Sequence, residues 1–333
     1  MKRITAFFIS CLLPFFAIAQ NSERQFFISP EDFGCVSGGE NMAAHNTEKL
    51  QEMIDYSIRN GVKVICKANQ QYYTKGSIVI NGPISVDFNR AKLIATDTAD
   101  MVVIVGRDII YAGVISGLNL DMNNIASTGI NVKYAMKVRI TNCFISGIPS
   151  NAVGMIIERG GEAFIDNIHF MGGENMATGL RVNTADCHFS DMVMMDCHTA
   201  VDNLGFNYYE RIHAWMGDEG KWLDGSAFFR VRGGEVFLNQ CFCDTYEIGV
   251  QIDSPTNLFI SQMRNFHNMV MWNRNEETIH PVLFNFAEKG IAENSFISLT
   301  DSFIGGLFVN GRNKQKFANV ENHNIRIHNT RIE

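Results

Sequence analysis

Proline is scarce in this 333-residue chain, with 6 residues against 28 glycines, and no Pro-, Ser- or charge-rich stretch interrupts it. Two domains joined by a linker are therefore not expected, despite a length that would accommodate them. Long apolar runs are missing beyond the N-terminal segment, so no membrane span is expected. Positive charge is in short supply too: 28 Lys and Arg against 35 Asp and Glu leave a formal charge of −7. That balance argues against nucleic acid as a partner. Cysteines in metal-type pairs are absent except for Cys241-Phe242-Cys243. No metal site and no cofactor are expected.

The first residues have the form of a secretory signal. Lys2 and Arg3 precede an apolar run from Ile4 to Ile18, and Ala17-Ile18-Ala19 supplies small residues for cleavage. The expected boundaries are a leader over 1–19 and one domain over 20–333, with a secreted or periplasmic destination. Losing Lys2 and Arg3 takes the charge from −7 to −9, and losing Cys11 leaves seven of the eight cysteines. An odd count in a chain of this size is not a disulfide framework. The thiols are expected to be small buried hydrophobes.

What the chain has instead is a repeat. A six-residue unit, apolar-x-Asn/Asp/Gln-apolar-x-apolar, starts at Ile140 and Ile165, with Gly in the third place of the unit at Ile115; looser copies start at Phe88, Phe189, Tyr209, Leu238, Ile260, Leu299 and Ile327. Most of these starts lie one solenoid coil apart. A second, shorter strand follows at the same offset in three successive coils, at Gly129-Ile-Asn-Val132, Gly154-Met-Ile-Ile157 and Gly179-Leu-Arg-Val182. A single coil is too short to bury its own apolar face, whereas coils stacked about 4.8 Å apart bury a continuous one. The fold expected is all-β, a right-handed single-stranded parallel β-helix with coils over about 78–333.

Stacking turns repeat positions into columns. The fourth position reads Leu118, Cys143, Ile168, Met192, Ile212, Cys241 and Met263, an inward column. The third reads Asn142, Asn167, Asp191, Gln240, Gln262, Asp301 and Asn329, residue types suited to a left-handed bend whose amides bond between rungs. Ahead of the coils, Thr47 is expected to cap a helix over about 47–60. Its Leu50, Met53, Ile54 and Ile58 share one face, and Asn60-Gly61 ends it.

The segments Pro30-Glu-Asp32-Phe33-Gly34, Asn46-Thr47-Glu48 and Asn60-Gly61 to Tyr72-Tyr73 resemble the opening of the pectate-lyase-like β-helix superfamily, with Gln70-Gln71-Tyr72 where those proteins have Gly-x-Tyr. The resemblance covers about residues 28–80 by motif and the remainder by periodicity. It implies an extracellular carbohydrate-active protein without choosing among hydrolases, lyases, epimerases and tail-spike depolymerases. The polygalacturonase motifs are not retained: their places read Ala126-Ser127-Thr128, Asn151-Ala152-Val153, Ala177-Thr178-Gly179 and Thr199-Ala200-Val201. No pectate-lyase calcium cluster is evident.

If the apolar residues of the second strand point inward, their neighbours point out. That outward strip carries Asn131, Lys133, Glu158, Arg181, Asn183, Asp202, Arg230, Arg232, Gln251 and Asp253. Lys133, Arg181, Arg230 and Arg232 are candidate binders of an anionic sugar chain, because a guanidinium grips carboxylate or sulfate by two parallel hydrogen bonds. The competing reading is a solvated sheet face with its charges paired. Glu158 and Asp202 are the candidate catalytic carboxyls, two coils or roughly 9.6 Å apart along the axis. The coils between Phe189 and Leu238 add His198, Tyr208, Tyr209, His213, Asp218, Glu219 and Asp224, with Trp215 and Trp222 as candidate sugar platforms. The expected ligand is a polysaccharide or oligosaccharide. Two functions stand: a hydrolase or lyase acting on an acidic polysaccharide, and a non-catalytic glycan-binding or surface-structural β-helix.

Overall fold

The computed structural model describes residues 27–106, 113–173, 176–217, 225–266, 282–304 and 324–332. The expected leader, Trp222, Asp218, Glu219 and Asp224 lie outside these residues. Among the described residues every strand pairing is parallel, within one sheet of nine strands and another of nineteen. The protein is a parallel β-helix.

The rungs follow the repeat. Ile115, Ile140, Ile165, Phe189, Tyr209, Leu238, Ile260, Leu299 and Ile327 stand opposite one another in successive pairs. Ile140, Cys143, Ile165 and Ile168 are all buried. One expected start is displaced: Val86, and not Phe88, faces Ile115. A two-residue slip keeps the same parity, so both Val86 and Phe88 still point inward and the pattern alone does not separate them.

The nineteen-stranded sheet turns a corner at the third position of the repeat. Asn142, Asn167, Asp191, Gln240, Gln262, Asp301 and Asn329 all have φ between 47° and 57°. Side chains of this type tolerate the left-handed region and bond along the stack. Asn167 Nδ2 donates to Asn142 Oδ1 at 2.6 Å, and Gln240 Nε2 donates to Gln262 Oε1 at 2.8 Å. In the rung of Tyr209 the corner residue is Arg211, φ 54°, held by Asp191 of the preceding rung through Nε at 2.6 Å.

The glycines that open the second strands have a packing cause. A Cβ on Gly154 would lie 2.6 Å from the Phe170 ring and 2.8 Å from the Gly179 carbonyl oxygen; on Gly129 it would lie 2.5 Å from the Gly154 carbonyl. The next coil's backbone passes too close for any side chain. Gly154→Ala is therefore expected to cost about 1–3 kcal/mol by overpacking, read as a lowered denaturant midpoint. A midpoint at or above the parent's would refute the close approach.

The N-terminal helix spans Ala43–Asn60, with Leu50, Met53 and Ile54 buried against the first coils. It begins four residues before the expected Thr47 cap. Thr47 is interior: its hydroxyl donates to the Ala43 carbonyl and accepts from the Lys75 amide. A 3-10 turn over Glu40–Met42 leads into the helix, and fully buried Asn46 ties its first turn to both backbone groups of Val36 and to Tyr73 O. Gly61 ends the helix in the left-handed conformation, φ 64°. Among the described residues no helix is long and apolar enough to cross a membrane.

Candidate functional site

The strands Val153–Gly161, Thr178–Ala185, Thr199–Leu204, Ala227–Val231 and Ile248–Ile252 are consecutive in the nine-stranded sheet. Met155, Leu180, Val201, Phe229 and Val250 point inward and are buried. The alternating positions Ile156, Arg181, Asp202, Arg230 and Gln251 form one outward column by register. Glu158 aligns with Asn183 and then Leu204 in the neighbouring column.

Asp202 organises this face. Its Oδ2 accepts from Arg181 Nε at 2.9 Å and its Oδ1 from Arg232 Nε at 2.5 Å. Another nitrogen of Arg232 donates to Asn183 Oδ1. One rung on, Arg230 Nε donates to Asp253 Oδ2 at 2.5 Å, and Asp253 Oδ1 accepts from Gln251 Nε2 at 2.7 Å. Towards the N-terminal end, Asp100 accepts from Asn131 Nδ2 at 2.9 Å and has Lys133 Nζ 4.0 Å away. The four expected cations thus share one sheet face, each beside a carboxylate.

The pairs are not level with the surface. The Arg181 and Arg232 side chains are 36% and 29% exposed over an Asp202 that is 6% exposed, and Arg230 is 49% exposed over Asp253 at 20%. Negative charge lies beneath and guanidinium edges lie outermost. An arginine has five N–H donors, so Nε bonding to a buried acid orients the fork and leaves terminal nitrogens for a ligand.

The two candidate carboxyls do not form a facing pair. Glu158 is two rungs from Asp202 and also one outward position along the strand, so their backbones lie farther apart than the roughly 9.6 Å of axial rise. With both Asp202 oxygens engaged by arginine, its place is that of an arginine holder. Glu158 is half-buried and makes no ion pair with a described residue.

Trp215 is not beside the arginines. It ends the strand Asn207–Trp215 of the other sheet, with its ring 4.7 Å from His213, whose Nε2 is 3.4 Å from Asp244 Oδ2. Tyr209, a start of the repeat, is a fully buried inward residue whose hydroxyl donates to Asn203 Oδ1 at 2.7 Å. Its neighbour Tyr208 belongs to a feature not anticipated. Phe164, His188, Tyr208, Phe237 and Phe259 stack on the outer face before the corner, with centroids 4.7–5.2 Å apart and ring planes within 18° of parallel. The repeat carried the signal: the residue before each of Ile165, Phe189, Tyr209, Leu238 and Ile260 is aromatic or His. Because the rings cover one another's faces, their edges and not their faces meet solvent, which is a poor platform for stacking sugars.

No family profile matches the chain, and no curated protein matches it by sequence. Solved structures share its fold. PfbA, a surface adhesin of Streptococcus pneumoniae, superposes with TM-score 0.55 at 12% identity over 91% of this chain and 83% of its own. A mutant tailspike of E. coli bacteriophage HK620 in complex with a pentasaccharide gives 0.53 at 9% identity, over 92% and 72%. The gp42 tailspike of Acinetobacter phage vb_AbaP_AS12 gives 0.52 at 11% identity over 94% of this chain, which spans only 63% of the tailspike's length. At these identities the likeness is one of fold.

Proposed function

We propose that this is a secreted or periplasmic β-helix protein of the pectate-lyase-like kind that binds an acidic polysaccharide along the outer face of the nine-stranded sheet. The observation that carries the reading is the depth order at Asp202, with Arg181 and Arg232 outermost and their shared carboxylate underneath. An extended chain lying along the rungs meets guanidinium edges one coil after another, and forks already held need little ordering on binding. The tailspike of like fold in complex with a pentasaccharide is consistent with glycan contact.

The test is affinity electrophoresis in gels containing polygalacturonate or, separately, neutral dextran. Retardation is expected with polygalacturonate, weakening as salt rises. Charge-assisted hydrogen bonds contribute about 1.5–3 kcal/mol each, so Arg181→Ala/Arg230→Ala should weaken binding at least tenfold with a cooperative melt retained, because Arg232 still bonds the buried Asp202 carboxylate. Unchanged retardation in the double variant would remove the arginine face from the function.

The position of Glu158 favours a second reading, a polysaccharide lyase or hydrolase. It is a carboxylate without an ion pair among the described residues, one rung from Asn183 and the Arg181 strand. Proton abstraction beside a uronate carboxyl needs one such base, with arginines to hold the substrate carboxylate. Unsaturated uronide or new reducing ends, lost in Glu158→Gln, would establish cleavage. A folded protein that binds and never cleaves is a binder.

A further inference from the structure

On the corner of the nineteen-stranded sheet, far in register from the arginines, the outward side chains of four successive rungs enclose a groove of about 630 Å³. Asp87, Asn89 and Arg90 close one end, Asn119 and Asn142 line the middle, and Phe144, Asn167 and His169 complete it. Its length over three rung spacings is roughly 14 Å, more than a single pyranose ring. The left-handed corner residues create it, since each reverses the pleat and sets the strand segments on either side at an angle.

We infer that this groove is a second glycan site, and that it takes a neutral, hydroxyl-rich oligosaccharide. Charge is the first argument. The groove's formal charges are Asp87 and Arg90, of opposite sign, and the adjoining Lys92 is taken by Asp121 at 2.6 Å. Nothing there selects an anion. Hydrogen-bonding capacity is the second. Side-chain amides pair donors with acceptors in the way that sugar hydroxyls do. The bond from Asn167 to Asn142 uses one amide and one carbonyl, leaving the Asn142 amide and the Asn167 carbonyl for a ligand. The third argument is apolar surface: Phe144 and His169 meet edge to face, 6.4 Å apart at 74°. Their rings are not stacked into a closed column, so a ring face remains for the C–H side of a sugar.

The probe is saturation-transfer NMR and calorimetry with cellohexaose, maltohexaose, laminarihexaose, xylohexaose and mannohexaose. At least one is expected to bind, with an affinity that does not change when salt is raised. Asn142→Gly keeps a left-handed backbone accessible while removing the amide, and His169→Ala removes a ring from an exposed position. The combined variant should weaken binding at least tenfold with its cooperative melt intact. Arg181→Ala/Arg230→Ala should bind the neutral probe as the parent does, so this site can fail while the acidic-glycan reading stands, and the reverse. Binding by none of the five, or binding untouched by Asn142→Gly/His169→Ala, would overturn the inference.

Discussion

Between about pH 9 and pH 11 the folded protein is expected to lose stability at roughly 4 kcal/mol per pH unit from three thiols alone. Burial pushes Cys143, Cys197 and Cys241 up from 9.0 to about 12, because the interior of the coil cannot solvate a thiolate. The unfolded chain releases these protons once the pH passes 9, and the folded chain keeps them. The native state then binds more protons than the unfolded one, so stability falls as pH rises and is unaffected well below 9. Cys243, Tyr209 and Tyr246 shift in the same direction for the same first cause, desolvation, and steepen the fall. Urea midpoints measured from neutral to alkaline pH check this. Cys143→Val should make the slope shallower by about 1.4 kcal/mol per pH unit, and midpoints that stay constant to pH 11 would contradict it. The seven described cysteines are all free and buried, so thiol reagents should react with them only on unfolding.

Phe229→Ala is expected to destabilise the protein by about 3–5 kcal/mol, the range for removing a fully buried aromatic ring. Phe229 has no exposure, meets Phe228 edge to face at 4.7 Å and Tyr209 at 5.1 Å, and stands inward between Phe228 and Arg230. Neighbouring coils are stacked rigidly, so little can collapse into the cavity. Tyr208→Ala, in the outer aromatic stack, is the control. It gives up ring pairs worth about 0.5–1.5 kcal/mol each without opening a core cavity. Denaturant unfolding monitored by circular dichroism separates the two, and equal losses would mean that the outer stack contributes as much as the core. Because Arg230 follows Phe229 directly, the core variant should also weaken polygalacturonate binding, whereas the outer variant should not.

The outward strip was legible because strand alternation assigns sides without reference to other coils. Arg181, Asp202 and Arg230 needed only the position of their inward neighbours to be placed on one face. The identity of their partners was not legible. Arg232 reaches back thirty residues along the chain to Asp202, and whether a carboxylate lies above or below a guanidinium depends on rotamers that alternation does not specify. Trp215, a candidate sugar platform by its place among acids and aromatics, ends a strand of the other sheet, since nearness in sequence within one coil says nothing about which sheet a residue joins. The local pattern at Thr47 fits a helix cap; Asn46 and the turn before it set the helix start earlier through contacts to Val36 and Tyr73, which no local pattern contains.

By itself the sequence determined the coil, its period, the inward columns and the left-handed corner, because each follows from a residue type recurring at a fixed interval, and repetition compels stacking. Only the tertiary structure decided which outward residues touch. It stacked five rings along one face, set Asp202 beneath two arginines, and folded the corner into a groove lined by Asn119, Asn142 and Asn167. Those outcomes depend on how successive coils are offset, and in a stack the offset is set by close approaches such as that of the Gly179 carbonyl to Gly154, distances that belong to pairs of coils and to no single one.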